Sequence, residues 1–403
     1  MNKTKLFLIL LLAVSQISMA QNNEELKEWA NQGQTKETDF FAEIPFHYVD
    51  HYIILDIEQN DKTYQFMFDT GAEASVIDPA VLEEFETISE GNADVFGPVI
   101  NNGKVNYVSI KNIEIGGIHF VNTGAIGMDM GFSEKVFAEK LDGIIGSSLI
   151  KKAVWQIDYK KKLLRIANNI EKFELDENTE KINMHLKESG WGTENVALTI
   201  EDEEFQFAFD TGNGRRKFVA NPEDLKKVLR KHKKSRLELN LKNQPTDYRF
   251  IANTVKIGDM ILENQIIDAE NEVGTSKLIG NRFLEDYLVT VDFKNHHLFL
   301  KKNRSTPNDE IAQFELIFKP NYQSKKLEVY NAEKDFNKKH KIEKGAVVQS
   351  INEKDLSGLT KEALLNFWQN EWLSLQKQNS LDLVLSQNGK KVNLKIHKID
   401  INS

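Results

Sequence analysis

The chain has 403 residues, of which 40% are hydrophobic, and this is enough to bury more than one core and predicts roughly two to three domains. The absence of cysteine excludes disulfides, thiolate metal ligands, a catalytic thiol and a lipid-modified cysteine. The net charge of −9 argues against a general nucleic-acid binder, because phosphate contacts require a dominant basic face.

The first twenty residues are typical of a cleavable secretory signal. Two lysines precede an apolar run at residues 6–14, and small residues end the segment at Ala20. The run is too short to span a bilayer, and no later segment approaches about 20 apolar residues, so we expect no stable membrane insertion. The sequence therefore predicts a signal peptide at 1–20, an exported protein that is periplasmic or secreted, and a polar, loosely ordered segment at 21–40.

An internal repeat follows, in a region where short Val, Ile, Phe and Tyr segments alternate with turn residues as in β sandwiches and barrels. Residues 64–71 read YQFMFDTG and residues 205–212 read FQFAFDTG. Each copy is followed at a similar offset by an apolar-apolar-Gly segment, Ile144-Ile145-Gly146 in the first and Leu278-Ile279-Gly280 in the second. The order of parts is preserved, which predicts two homologous β-barrel lobes at 41–175 and 176–303.

The chain changes character after the second lobe. A polar segment with a proline predicts a linker at 304–312, and the tail at 313–403 reads as a small α+β domain. Its predicted elements are strands at 327–330 and 346–351, a helix from Thr360 to about residue 378, and strands at 381–385 and 392–397 joined by an Asn388-Gly389 turn.

The paired Asp-Thr-Gly segments indicate a chemistry. Two carboxylates held close enough to share one proton allow one to act as a general base on water while the other donates a hydrogen bond to a carbonyl. Glycine lets backbone approach such a site closely, and a threonine hydroxyl can brace the turn. The candidate catalytic residues are Asp69 and Asp210, and the candidate supporting residues are Thr70, Gly71, Thr211 and Gly212.

These motifs, over residues 44–302, resemble the retropepsin-like aspartic peptidase family, which also underlies the two-lobed pepsin-like enzymes. The resemblance implies that Asp69 and Asp210 are the catalytic pair and that the first lobe carries a flap, with its tip at Asn101-Asn102-Gly103 and Tyr107 as its aromatic residue. The sequence departs from the family at 213–217, where Asn-Gly-Arg-Arg-Lys follows the second Asp-Thr-Gly. Cations pointing inward there would lower the pKa of Asp210, so we expect them to face solvent or a substrate cleft.

The tail resembles a PDZ domain of the kind attached to bacterial peptidases, notably at residues 344–359. Such domains take a peptide by adding it to a sheet edge, so the tail is a candidate peptide-binding domain. A basic run at 226–234 could contact an anionic lipid or nucleic acid, but we favour a solvated helix face. No zinc-peptidase helix motif, Walker-type loop or nucleophile elbow occurs.

The sequence therefore predicts a mainly β protein with two retropepsin-like lobes and a PDZ-like α+β tail. It predicts an aspartic endopeptidase that hydrolyses peptides or unfolded proteins with water activated between Asp69 and Asp210, without a metal or other cofactor. One chain carries both half-sites, so a monomer is sufficient for the pair. The alternative is a catalytically silent module that binds peptides or a partner through its cleft and tail.

Overall fold

A computed structural model describes residues 23–95, 103–186, 193–273, 276–303 and 312–401. The predicted signal peptide, the Asn101-Asn102 hairpin tip and residues 304–311 of the predicted linker lie outside these residues. Strands account for 50% of the residues and helices for 18%, and the sheets are barrel-like, so the mainly β fold is confirmed. In the described part of the chain no helix is long and apolar enough to cross a membrane.

The described residues of the first predicted lobe and of the segment before it contain strands β1 to β12, three short helices and three 3-10 turns. The helices are α1 (Asn23–Asn31), α2 (Glu134–Phe137) and α3 (Ser147–Ile150), and the 3-10 turns are Pro79–Phe85, Gly131–Ser133 and Ile170–Lys172. The strands are β1 (Gln34–Thr35), β2 (Phe41–Pro45), β3 (His47–Val49), β4 (Tyr52–Gln59), β5 (Lys62–Phe68), β6 (Ser75–Ile77), β7 (Thr87–Val95), β8 (Gly103–Ile115), β9 (Ile118–Gly127), β10 (Gly143–Ile145), β11 (Val154–Asp158) and β12 (Leu163–Ala167).

Within residues 176–186, 193–273 and 276–303, the second predicted lobe contains strands β13 to β22 and two short helices. The helices are α4 (Lys226–Lys231) and α5 (Asn281–Leu284), with a 3-10 turn at Asn271–Val273. The strands are β13 (Thr179–Leu186), β14 (Glu194–Ile200), β15 (Glu203–Phe209), β16 (Phe218–Ala220), β17 (Arg236–Leu239), β18 (Asp247–Ile257), β19 (Met260–Ala269), β20 (Leu278–Ile279), β21 (Tyr287–Asp292) and β22 (His297–Lys302).

The two repeats place their Asp-Thr-Gly segments in the same strand arrangement. In the first, the short strand β10 pairs in parallel with β5 on one side and antiparallel with β6 on the other. In the second, β20 pairs in parallel with β15 and antiparallel with β16. The preceding strands end in buried phenylalanines, Phe66 and Phe68 in β5 and Phe207 and Phe209 in β15. The segment that follows each strand therefore starts from a rigid, fully buried position.

One sheet joins the repeats. Strand β11 of the first repeat pairs antiparallel with β21 of the second, and Ile157 lies opposite both Val289 and Leu164. Gln156 Nε2 donates to Thr290 Oγ1 across this junction at 2.9 Å. A single hydrophobic core contains buried side chains from both repeats. The two Asp-Thr-Gly segments are thus held on one continuous body.

The N-terminal segment differs from the loosely ordered entry that the sequence predicted. Helix α1 packs Trp29 against the first repeat, where its indole N–H donates to Val108 O at 3.1 Å. Strand β1 pairs with β9. The polar composition of the segment does not show this order, because one buried tryptophan and one short strand pairing supply the contacts.

The tail has a sheet of its own, to which the predicted strands and hairpin belong. Its helices are α6 (Lys334–His340), α7 (Lys361–Asn366) and α8 (Trp372–Leu375), with a π-helical turn at Phe367–Glu371, and its strands are β23 (Ala312–Phe314), β24 (Leu316–Asn321), β25 (Lys326–Ala332), β26 (Val347–Ile351), β27 (Lys354–Asp355), β28 (Ser380–Gln387) and β29 (Lys390–Asp400). The sheet order is β23-β29-β28-β26-β25-β24, with β27 beside β26. Thr360 caps α7 by accepting from the Ala363 N–H at 3.2 Å, and Asn388 and Gly389 both have positive φ in the predicted turn.

Replacing Ile157 by alanine should lower the free energy of unfolding by roughly 2–5 kcal/mol, because Ile157 is fully buried at the junction of the repeats. Ile261→Ala is the matched control, since Ile261 is 62% exposed and its loss should cost less than about 0.5 kcal/mol. Urea unfolding followed by tryptophan fluorescence measures both variants. Equal stability of the two would contradict a core shared by the repeats.

Candidate active site

Asp69 and Asp210 stand at equivalent points of the two repeats. Asp69 directly follows β5 and Asp210 directly follows β15. The Asp69 N–H donates to Ile145 O, and the Asp210 N–H donates to Ile279 O, both at 3.0 Å. The apolar-apolar-Gly segment of each repeat therefore fixes the start of its Asp-Thr-Gly turn.

The two threonines tie the turns to each other. Thr70 Oγ1 donates to Phe209 O at 2.8 Å and accepts from the Thr211 N–H at 3.0 Å. Thr211 Oγ1 donates to Phe68 O at 2.9 Å and accepts from the Thr70 N–H at 3.0 Å. Each hydroxyl thus satisfies two buried backbone groups of the opposite repeat, and this crossed set of four bonds fixes the distance between the two aspartates.

Backbone N–H groups orient each carboxylate. Asp69 Oδ1 accepts from the N–H groups of Gly71 at 2.8 Å and Ala72 at 3.1 Å, and Asp210 Oδ1 accepts from the Gly212 N–H at 2.8 Å. The two carboxyl groups hydrogen-bond to each other, and both residues are at most 3% exposed. The predicted pair is therefore brought together in a buried site.

The two glycines allow this approach. A Cβ at Gly71 would lie 2.3 Å from Asp210 Oδ1, and a Cβ at Gly212 would lie 2.4 Å from Asp69 Oδ1. Any side chain at either position would therefore occupy the space of the opposite carboxylate. The requirement for glycine comes from the partner aspartate and not from the turn alone.

Burial sets the protonation of the pair. It raises the pKa of Asp69 to about 6 and, together with the nearby Asp69 charge, holds the pKa of Asp210 well above its usual range. The pair therefore retains a proton that its two carboxyl groups share. Because the groups interact strongly, they titrate as one unit that carries a single proton over a range above about pH 6.

The sequence predicted that the cations after the second Asp-Thr-Gly face solvent or a substrate cleft, and the structure places the arginines Arg215 and Arg216 in largely buried ion pairs instead of in solvent. Arg215 forms an ion pair with Asp50, and its side chain is only 18% exposed. Arg216 Nε lies 2.6 Å from Glu270 Oε1 and 3.4 Å from Asp268 Oδ2. Carboxylates that are distant in the sequence therefore pair with both guanidinium groups, and burial and the Asp69 charge are the main influences on the pKa of Asp210.

The sequence analysis gave no role to the residue after each apolar-apolar-Gly segment. These residues are Ser147 and Asn281, which stand at the same position in the two copies. Ser147 Oγ donates to Thr70 O at 3.2 Å, and Asn281 Nδ2 donates to Thr211 O at 2.6 Å. Asn281 in turn accepts from the Tyr159 hydroxyl at 2.7 Å. The equivalent positions of Ser147 and Asn281 in the two copies were the signal that could have identified them.

Tyr107 lies in β8 and is 4% exposed. Its ring packs edge to face against Trp29, with centroids 4.8 Å apart, in a cluster that also contains Ala74 of the Asp69 loop. Strands β7 and β8 form the hairpin in which the flap was expected. The flap role of Tyr107 stays a prediction.

Comparison with known proteins supports an aspartyl protease family. Residues 55–149 match a family model described as aspartyl protease. The matched segment includes Asp69, Thr70, Gly71 and the Ile144-Ile145-Gly146 strand, which are the parts of the site that the first repeat supplies. No curated protein matches the chain.

Thr70→Val should destabilise the fold by roughly 2–4 kcal/mol, because it leaves the buried Phe209 carbonyl and Thr211 N–H without their partner. Thr70→Ser keeps the hydroxyl and should lose only about 1 kcal/mol for the methyl group. Chemical unfolding of both variants is the measurement. Similar losses in the two would mean that the hydroxyl bonds contribute little.

Asp210→Asn should stabilise the protein at neutral and alkaline pH. The pKa of Asp210 is higher in the folded than in the unfolded chain, so the native protein loses stability as pH rises from about 4 through the folded value. An asparagine keeps the donor and removes the ionisation, so the variant should gain roughly 1–3 kcal/mol near pH 8 and nothing near pH 4. Thermal unfolding from pH 4 to pH 8 measures this change, and Asp259→Asn at an exposed position is the control. An equal change in stability of the two variants would contradict the prediction.

Proposed function

We propose that the protein is an aspartic endopeptidase in which Asp69 and Asp210 activate a water molecule between them. The observation that carries the proposal is the buried hydrogen bond between the two carboxyl groups, one from each repeat. Two negative charges on adjacent buried carboxyl groups are energetically unfavourable, so the pair retains one proton. A pair in this state has both an acid and a base at one point in space.

We assign the roles from the pKa of Asp210, which burial and the Asp69 charge raise further than that of Asp69. Asp69 therefore takes the proton of the attacking water as the general base. Asp210 holds the proton and donates it toward the scissile carbonyl oxygen as negative charge develops there. The water oxygen bonds to the carbonyl carbon, and the C–N bond then breaks as the proton taken by Asp69 passes to the leaving amine. The proton given by Asp210 returns to the pair when the carbonyl group re-forms. The reaction uses water and carboxyl groups alone, so it requires no metal or cofactor.

The crossed threonine bonds support this function more than a binding role. They fix the two carboxyl groups relative to each other, and both pKa values are raised by burial. Burying two adjacent carboxyl groups lowers the stability of the fold at neutral pH, because their pKa values are higher in the folded than in the unfolded chain. A silent binding module would gain nothing from this cost.

The expected substrates are peptides or unfolded proteins, which can present an extended backbone to the pair. We further propose that the mature chain acts in a periplasm or outside the cell, because residues 1–20 are typical of an export signal. Both half-sites are on one chain, so a monomer suffices for the reaction.

Cleavage should follow a bell-shaped pH dependence with its acid limb near pH 6. Below about pH 6 the pair takes up a second proton, and Asp69 can no longer act as a base. At high pH Asp210 loses its proton and the donor to the carbonyl is lost. Cleavage of an unfolded protein mixture by the mature chain, followed from roughly pH 4 to 9, measures both limbs.

Asp69→Asn and Asp210→Asn should each lower cleavage at least about a hundredfold, and a statine-type transition-state mimic should block the native chain. Exposed Asp259→Asn should keep native activity. Activity that persists in either dyad variant would refute the pair. A folded, intact native chain without activity would favour the silent module instead.

A further inference from the structure

The turn between β3 and β4 brings the first repeat, the second repeat and the tail together at one carboxylate. Asp50 and His51 form this two-residue turn with positive φ at both positions, as tight hairpins require. Asp50 Oδ2 accepts from Nε and Nη2 of Arg215, which belongs to the loop that follows Asp210. Asp50 Oδ1 accepts from the indole N–H of Trp368, in the tail, at 3.3 Å. We call Asp50, Arg215 and Trp368 the three-way junction.

The three-way junction is largely closed to water. The side chains of Asp50 and Arg215 are 9% and 18% exposed. The ring of Trp368 lies over the guanidinium, with 5.9 Å between the ring centroid and Arg215 Cζ. Each oxygen of the carboxylate thus has its own partner. A buried ion pair depends on complete hydrogen bonding, so loss of the indole donor should loosen the pair.

The junction fixes the middle of the loop that follows Asp210, whereas backbone bonds fix its two ends. The Asn213 carbonyl accepts from the Asn281 N–H at 2.9 Å. The Lys217 carbonyl accepts from the N–H of the neighbouring glycine, residue 280, at the same distance. Between these ends, Arg215 reaches out of its own repeat to the carboxylate of the junction. The path of the loop therefore depends on that ion pair.

The same loop supplies N–H groups to the Asp210 turn. The Gly212 N–H donates to Asp210 Oδ1 at 2.8 Å, and the Asn213 N–H donates to Asp210 O at 3.2 Å. A single residue, Gly214, separates these donors from Arg215. A shift of Arg215 would therefore change the direction of the donors that orient the Asp210 carboxylate.

One side-chain amide makes a second connection between the β3–β4 turn and the aspartate pair. Asn281 Nδ2 donates to His51 O at 2.7 Å and to Thr211 O at 2.6 Å. This amide joins the residue after Asp50 to the residue after Asp210. The position of the β3–β4 turn thus bears on the aspartate turn both through the loop and through Asn281.

Other contacts hold the tail against the second repeat. The Tyr330 hydroxyl donates to Glu272 Oε2 at 2.9 Å, and Asn331 Nδ2 donates to Asp247 Oδ2 at 3.0 Å. Trp368 itself lies in the π-helical turn of the tail, a rare geometry that is frequent at functional positions. A small change at Trp368 therefore tests the junction and not the attachment of the tail.

We propose that Trp368 is a positioning residue for the aspartate pair, because it completes the three-way junction that fixes the loop after Asp210. The tail then belongs to the structural support of the active site and is more than an attached domain. Trp368 acts through Asp50 and Arg215, so its loss should affect the chemical step and not substrate binding. The effect on catalysis rests on the proposed peptidase function, whereas the effect on the loop does not.

Trp368→Phe removes the N–H donor and keeps an aromatic ring over Arg215. A fluorogenic peptide, built from a site that the native chain cuts in an unfolded protein mixture, gives kcat and KM. The variant should lower kcat at least about threefold, within the range of one hydrogen bond to a charged group, and leave KM unchanged. Titration with a statine-type mimic counts the active sites, so that unfolded molecules are not mistaken for a lower kcat.

Trp372→Phe is the matched control. Trp372 stacks on Trp368 with ring centroids 5.6 Å apart, but it packs into the tail core against Phe318 and is only 7% exposed. The same substitution at this more buried position should cost more packing and leave kcat at the native value. An equal or larger loss of kcat in Trp372→Phe would assign the effect to general destabilisation of the tail and overturn the proposal.

Hydrogen exchange gives a second measurement that does not depend on cleavage. The amides of Gly212 and Asn213 should exchange at least about threefold faster in Trp368→Phe than in the native chain, and at the native rate in Trp372→Phe. Native exchange rates in Trp368→Phe would overturn the proposal even if kcat fell. If the native chain cleaves no peptide, the proposed peptidase function fails, and faster exchange in Trp368→Phe alone would still support the hold of the junction on the loop.

Discussion

The structure depends on one constraint: two carboxyl groups must lie adjacent to each other in a buried site. Burial alone disfavours ionisation, and the second carboxylate disfavours it further. The crossed bonds of Thr70 and Thr211 hold this arrangement, because each hydroxyl replaces a backbone partner that the opposite repeat would otherwise lack. The sheet junction at β11 and β21 does the same on a larger scale, so neither repeat can move away without breaking buried contacts. The fold therefore maintains a local arrangement that is unfavourable by itself.

Much of this site could be predicted because it is repeated. Asp69 and Asp210, their threonines and their glycines each have a counterpart in the other repeat, so the repeat and its resemblance to the aspartic peptidase family predicted them together. The same holds for local features of the tail, where Asn388-Gly389 adopts the positive φ values that the hairpin requires. In these cases the information lies within a few residues or within a second copy.

What could not be predicted rests on contacts between distant residues that have no counterpart in the other repeat. Arg215 was expected to face solvent or a substrate cleft, and its ion pair with Asp50, 165 positions away in the sequence, could not be predicted. Helix α1 was expected to be loosely ordered, and Trp29 orders it through Val108, 79 positions away. Charge pattern and composition describe each segment alone, so they cannot reveal a partner that only the fold brings near.

The loop after Asp210 links the aspartate pair to the cavity between the repeats and the tail. Three consecutive cations follow the second Asp-Thr-Gly turn, and facing inward they would favour a fully ionised pair. Asp50 and Glu270 pair with Arg215 and Arg216, while burial and the neighbouring Asp69 charge set the protonation of Asp210. Both arginines also line the cavity between the repeats and the tail. The same ion pairs therefore hold part of the cavity wall and part of the loop that follows Asp210, so a change in that wall is also a change in the loop.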